Sequence, residues 1–146
     1  YKDAEDEKEF KKLQGARLSS SITKVRNAYV ALKDQKKLSP EVTEGLDLIA
    51  PRLKSLQTRF NLWGEDRVVG DGSYYQECKA VYNLLTLLLQ KHNQQNPNSP
   101  FNEITAFMSI ETIIDLKANP PQDIDKKLIE AKKPFQKDGA YVGEWS

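Results

Sequence analysis

Apolar residues recur at intervals of three and four along this chain, and the densest run lies near its middle. One helical face of the segment Ser73–His92 carries Tyr75, Cys78, Tyr82, Leu85, Leu89 and His92. Much of the remaining circumference is filled by Val81, Leu84, Leu87 and Leu88. A helix that is apolar nearly all round is a buried helix. The pattern therefore predicts a central helix, with Ser73 and Gln76 as its capping box.

Two earlier segments have seams of the same spacing. The first seam consists of Leu18, Ile22, Val25, Tyr29 and Leu32. The second seam consists of Val42, Leu46, Ile49, Leu53, Leu56, Phe60 and Trp63, and it follows a Ser39 cap with Pro40 in the first turn. Pro51 removes one backbone hydrogen bond but leaves the register intact, so we expect one kinked helix that ends at Gly64. The segment Glu65–Gly72 is predicted to be a loop.

The last third of the chain predicts two more helices. Ser99 and Pro100 repeat the cap-and-proline start, and they precede the broad apolar face of Phe101, Ile104, Phe107, Met108, Ile110, Ile113, Ile114 and Leu116. A shorter helix is predicted from about Asp123 to Lys133, with Pro134 ending it. The predicted fold class is all-α: an up-down four-helix bundle with a short fifth helix and an irregular C-terminal tail.

The length of 146 residues predicts a single helical-bundle domain, 1–146, with a core that needs no disulfide or metal staple. Residues 1–12 mix acids and lysines densely, which is typical of a frayed helix start or a disordered tail. Phe10 and Leu13 lie out of register with the seam that begins at Leu18, so a bend or a change of packing partner is expected near Gly15. Residues 134–146 are predicted to form a C-terminal strap.

Composition narrows the range of functions. A net charge of +1 argues against a strongly electrostatic nucleic-acid binder. One cysteine excludes an internal disulfide framework. Glu77, Lys79 and Lys91 make the central helix too polar to span a membrane. The chain begins with Tyr1 rather than Met, which fits either a processed form from an organelle lumen or periplasm, or an excised fragment.

No catalytic, cofactor-binding or metal-ligating residue is predicted, and the sequence is interpreted as that of a non-enzyme without a cofactor. One histidine excludes histidine-based triads and multi-histidine metal sites. Cys78 and His92 share a helical face but are about 21 Å apart along it, too far for a dyad. Asp66 and Glu77 have the spacing of the outer calcium ligands in an EF-hand, but Val68 and Gly70 stand where oxygen ligands are required.

The candidate binding residues are cations of the first helix and aromatics near the C-terminus. Residues 1–38 carry ten basic and six acidic side chains, a net charge of +4. The predicted partner-binding residues are Arg17, Lys24, Arg26, Lys33, Lys37, Tyr141 and Trp145. They suit a protein partner or an anionic surface. Nucleic acid is disfavoured because aromatics are not interleaved with the cations as stacking platforms.

The leading hypothesis is a non-catalytic accessory subunit that binds a larger assembly. At the level of fold alone it resembles extrinsic four-helix subunits of membrane complexes, such as those of photosystems. The first alternative is a carrier of a small ligand or lipid in a cavity of the bundle. The second alternative is an enzyme with an all-carboxylate site assembled from distant residues.

Overall fold

A computed structural model describes residues 2–109, 111–118 and 122–136, with side chains from residue 6 onward. Its elements in chain order are α1 (Lys2–Lys33), α2 (Pro40–Trp63), α3 (Glu65–Val69), α4 (Gly72–Gln95), β1 (Glu103–Thr105), β2 (Ile113–Asp115) and α5 (Ile124–Gln136). The prediction of a mostly helical protein is confirmed. The up-down four-helix arrangement is not confirmed, because three helices are long and residues 101–116 contain two short strands.

The central position of α4 is confirmed, since it contacts α1, α2, α3 and α5. Its fully buried side chains include Leu84, Leu85 and Leu88. The predicted capping box at Ser73 is wrong, because the helix begins one residue earlier, at Gly72. Asp71 is the cap, and its Oδ1 accepts a hydrogen bond of 3.1 Å from the Tyr74 backbone N–H.

The predicted boundaries of α2 are confirmed. Ser39 Oγ accepts from the Val42 backbone N–H at 3.3 Å, and Pro40 is the first helical residue. The helix continues through Pro51 without interruption. It ends at Gly64, whose φ of 85° lies in the region that only glycine adopts at little cost. Its buried face runs from Val42 to Leu56 and packs against α4.

The segment 65–72 does not form the predicted loop, because residues 65–69 form the short helix α3. Val68 is fully buried and fastens α3 to the core. Gly15 lets α3 approach α1 closely, since a Cβ atom at this position would overlap the Glu65 side chain.

The helix α1 is continuous through Gly15 and includes residues 2–12, the segment predicted to be frayed or disordered. The change of packing partner expected there is the contact with α3.

The fourth long helix predicted for 101–116 is wrong. The strands β1 and β2 pair antiparallel there, with Ile104 opposite Ile114. The segment is rich in β-branched residues, which favour strands, and these are Ile104, Thr105, Thr112, Ile113 and Ile114. Ile104 is buried while Glu103 is exposed, so the side chains alternate as a pleated strand requires.

Tertiary hydrogen bonds from α4 hold this hairpin. Tyr82 Oη donates to the Thr105 carbonyl at 2.8 Å. Asn93 Nδ2 donates to the carbonyls of Phe101 at 2.7 Å and Leu116 at 3.3 Å, one on each side of the hairpin. Because the donors lie on another element, a short hairpin that would be marginal alone becomes stable here.

The helix α5 packs on α2 and α4, and it is longer than predicted. Pro134 lies inside it rather than ending it. Residues on both sides of Pro134 contact α2: Lys132 Nζ donates to the Glu41 carbonyl at 3.4 Å, and Arg52 lies over the Phe135 ring. These contacts hold the last turn in helical form despite the hydrogen bond that proline cannot make.

We expect Leu85→Ala to lower the free energy of unfolding by about 2–5 kcal/mol, because Leu85 is fully buried on α4 and its removal leaves a cavity. Lys79, on the exposed side of the same helix, provides the matched control. Lys79→Ala should change the free energy by no more than about 0.5 kcal/mol. Urea unfolding followed by circular dichroism measures both, and equal effects would mean that α4 buries a different face.

Candidate partner-binding surface

The cations predicted to bind a partner lie on two opposite sides of α1. Arg17 and Lys24 are seven residues apart, as are Arg26 and Lys33, so each pair shares a face. Arg17 and Arg26 are nine residues apart, about two and a half turns, so the two pairs face in opposite directions. The structure therefore divides the cations between two surfaces instead of placing them in one patch.

The hairpin covers the side of α1 that carries Lys24. Lys24 Nζ donates to Thr105 Oγ1 at 3.3 Å. One turn earlier, the buried Ser21 Oγ accepts a 3.0 Å hydrogen bond from the Met108 backbone N–H. Met108 has a φ of 60°, so this bond helps to hold a backbone conformation that non-glycine residues seldom adopt. The Lys24 side chain thus helps to hold the hairpin against α1.

The same side of α1 is uncovered closer to the N-terminus. Phe10 lies seven residues before Arg17, and Leu13 lies four residues before it, so the three share a face. Phe10 is 58% exposed and Leu13 is 49% exposed. We call Phe10, Leu13 and Arg17 the uncovered face of α1. Arg17 is half-buried, and its Nε atom is buried without a hydrogen-bond partner among the described residues.

This part of α1 extends from the helical core. The helix has 32 residues, about 48 Å, whereas α2 and α4 have 24 residues each, about 36 Å. None of the side chains described from residue 6 to residue 14 is buried. Charges of both signs surround the two apolar side chains, including the Glu7–Lys11 ion pair at 3.5 Å. The N-terminal part of α1 thus presents two apolar side chains among charged ones.

The remaining predicted cations lie on the opposite side of α1 or beyond its end. Arg26 lines a cleft between α1 and α2. Lys33 Nζ is 5.8 Å from the centre of the Tyr29 ring. Lys37 lies in the loop after α1 and lines a separate polar pocket, which also contains Asp34 and His92. The predicted binding residues Tyr141 and Trp145 lie outside the described residues.

A buried charge cluster at the interface between α2 and α4 was not predicted from the sequence. Glu77 has only 3% of its side chain exposed and lies between two arginines of α2. Its Oε2 is 2.9 Å from Arg59 Nη1, and its Oε1 is 3.7 Å from Arg52 Nη1. The signal in the sequence is that Arg52 and Arg59 are seven residues apart and flank the buried Leu56, while Glu77 adjoins the seam position Cys78.

Aromatic side chains enclose the Arg59 end of this cluster. The Arg59 guanidinium lies 5.3 Å from the centre of the Tyr74 ring and 5.5 Å from that of Trp63. Tyr74 is fully buried, and its hydroxyl donates to the Leu56 carbonyl at 2.6 Å. Burial raises the pKa of Tyr74, and the neighbouring Cys78 raises it further. The phenol therefore stays protonated and donates, and this cluster joins α2 to α4.

Cys78 and His92, the two residues whose spacing along one helix argues against a dyad, have separate surroundings. Cys78 is buried beside Tyr74, and burial raises the pKa of its thiol to about 12. His92 is buried beside Phe101, with ring centres 5.9 Å apart, and burial lowers the pKa of its imidazole. Asn96 Nδ2 donates to the His92 carbonyl at 3.1 Å and lies 3.3 Å from Nδ1 of the ring. A carbonyl can only accept, so the Asn96 atom next to it must be the amide nitrogen, which donates. The same nitrogen faces Nδ1 of the ring, so Nδ1 accepts and the ring proton lies on Nε2.

The described residues contain no cluster of three or more histidine, cysteine, aspartate or glutamate side chains that could hold a metal ion. None of their helices has the length and apolarity needed to cross a membrane.

Comparison of the chain with protein-family models, with curated proteins and with solved structures finds no match.

We expect Glu77→Gln to lower the free energy of unfolding by about 3–5 kcal/mol, because it removes the negative charge that two buried arginines face. Glu130 provides the matched control, since its ion pair with Lys133 is about 60% exposed on both sides. Glu130→Gln should cost at most about 1 kcal/mol. Urea unfolding measures both variants. A loss for Glu77→Gln as small as that for Glu130→Gln would show that water reaches the α2–α4 cluster.

We expect Cys78 to resist thiol reagents in the folded protein, because its side chain is buried and its raised pKa of about 12 leaves almost no thiolate. Labelling with a maleimide should be complete in denaturant and slow in its absence. Raising the pH from about 7 to about 9, across the ordinary cysteine pKa, should accelerate labelling of the unfolded chain far more than that of the native protein. Rapid native labelling would place Cys78 at the surface.

Proposed function

We propose that this protein is a non-catalytic protein-binding subunit that docks onto a larger assembly through the uncovered face of α1. The observation that carries the proposal is the exposure of Phe10 and Leu13 on a continuous helix, in line with the part of α1 that the hairpin covers. A partner segment would continue the layer that the hairpin begins. It would bury both apolar side chains.

The expected binding energy comes mainly from apolar burial. Complete burial of one such side chain stabilises a complex by about 1.5–3 kcal/mol. The surrounding charges of residues 6–12 would lie at the rim, where they mainly affect the rate of association and its dependence on salt. Binding should therefore weaken, without being abolished, as the ionic strength rises.

The other hypotheses have less support from the described residues. A carrier needs an enclosed cavity, whereas the interior space between α1, α2 and α4 near Val25, Leu53 and Cys78 measures only about 10 Å³. Two larger clefts of the described residues, of about 420 and 480 Å³, are open to solvent. The comparison with extrinsic four-helix subunits depended on a fourth helix over 101–116, so we do not extend the proposal to a photosystem. A non-catalytic role remains part of the proposal.

The test compares two pairs of substitutions against a partner isolated by affinity capture from the source cells. Phe10→Ser with Leu13→Ser should weaken binding by at least about tenfold, the equivalent of about 1.4 kcal/mol. The matched control is Val30→Ser with Ile129→Ser, because these side chains are 47% and 63% exposed but lie away from the uncovered face. Surface plasmon resonance measures both dissociation constants. Similar losses in the two pairs would show that the docking surface lies elsewhere.

Deleting residues 1–12 separates a binding role from a structural role. The deletion should reduce binding as the double substitution does, while the midpoint of thermal unfolding changes little, because the side chains described in this segment are not buried. A large drop in the midpoint would show that the segment stabilises the fold.

A further inference from the structure

A small polar cleft opens between α1 and α2, on the side of α1 opposite the uncovered face. Its volume is about 200 Å³. Five polar side chains line it, three from α1 and two from α2: Ser19, Thr23, Arg26, Gln57 and Asn61. The antiparallel run of the two helices brings Ser19 and Arg26 to the same cleft as Asn61 and Gln57. The two helices fix the backbone positions of these residues, and the side chains of Ser19, Thr23, Arg26 and Asn61 are exposed to solvent.

The lining has the chemistry of an anion site. Arg26 is its one charged residue, and no carboxylate lines the cleft. Arg26 forms no ion pair with the described residues, so its guanidinium is available to an external anion. A guanidinium pairs with a carboxylate through two parallel hydrogen bonds. The hydroxyl and amide groups of the lining can donate further hydrogen bonds to the same oxygens.

The apolar part of the lining limits what the anion can be. Ile22 and Phe60 complete the cleft, and Ile22 is 6% exposed and part of the core. These two side chains suit a short hydrocarbon stem. The volume is below the roughly 300–1,000 Å³ of clefts that enclose drug-sized ligands. The site therefore fits a group of only a few heavy atoms, with a charged head and an apolar stem.

We propose that this cleft is a binding site for a carboxylate on a short aliphatic stem. Arg26 pairs with the carboxylate, Gln57 and Asn61 donate to it, and Ile22 and Phe60 contact the stem. Two sources have this chemistry: a glutamate side chain of a bound protein or peptide, and a free short-chain carboxylic acid. The site is independent of the docking function proposed above, since Phe10 and Leu13 lie on the other side of α1.

The test is a titration with sodium propionate, which has the carboxylate and stem of a glutamate side chain. Nitrogen-15 NMR follows the Arg26 Nε–H signal and the side-chain amide signals of Gln57 and Asn61, with sodium chloride at equal ionic strength as the blank. We expect saturable shifts at millimolar propionate. Arg26→Gln should weaken binding by at least about tenfold. Lys33→Gln, which removes an equal charge from the same face without touching the cleft, should change it by less than about twofold.

A second arm distinguishes the two sources. A blocked Gly-Glu-Gly peptide is titrated in the same way, with Gly-Gln-Gly as its control. Binding of the glutamate peptide at least as tight as that of propionate supports a protein-borne side chain, and binding of propionate alone supports a free acid. Shifts that match the chloride blank, equal losses in Arg26→Gln and Lys33→Gln, or saturation by inorganic phosphate but not by propionate would each overturn the proposal.

Discussion

The need to bury most of the circumference of α4 constrains the whole structure. Its apolar residues occupy nearly the full circumference, so no single neighbouring helix can cover them. Four other helices contact it, and the hairpin is hydrogen-bonded to it. The charged residues of α4 must then be accommodated at those interfaces. Glu77 meets two arginines of α2, and Lys91 Nζ meets Asp125 of α5 at 2.7 Å.

Polar groups of α4 also determine where the segment that follows this helix packs. Tyr82 and Asn93 donate to backbone carbonyls of the segment 101–116. Phe107 lies 5.3 Å from the ring centre of Tyr75 and 5.5 Å from that of Tyr82. Together these contacts hold the hairpin against α4 and α1. As a result, one side of α1 is covered near Ser21 and Lys24 but left open near Phe10.

The helix α1 thus has two distinct surfaces with different chemistry. The side that faces the hairpin ends in the exposed apolar residues Phe10 and Leu13, on which the proposed docking function rests. The other side borders α2 and has a cleft whose one charge is the Arg26 guanidinium. The cations Arg17, Lys24, Arg26 and Lys33 form a single group when counted along the chain. The helical repeat places Arg17 and Lys24 on one side of α1 and Arg26 and Lys33 on the other, with the buried seam between the two pairs.

The sequence by itself determined the three long helices, because their apolar periodicity reflects burial of one face regardless of the partner. It also determined the local boundaries at Ser39 and Gly64, where a cap oxygen or a positive φ is a property of nearby residues. It determined that Cys78 is buried, since this residue lies on the central seam. For the candidate surface, the sequence predicted Arg26 as a partner-binding residue, which stays a prediction, and it did not predict the cleft that Arg26 lines.

Only the tertiary structure decided the hairpin, the length of α5 and the buried charge cluster. Spacings of three and four over 101–116 fit a helix, but the strands are chosen by donors from Tyr82 and Asn93, which are distant in the chain. Contacts of Lys132 and Phe135 with α2 likewise carry α5 past Pro134. The pairing of Glu77 with Arg52 and Arg59 depends on how α2 and α4 are aligned. A linear pattern describes which face of an element is buried, whereas long-range hydrogen bonds and charge pairs depend on which elements meet.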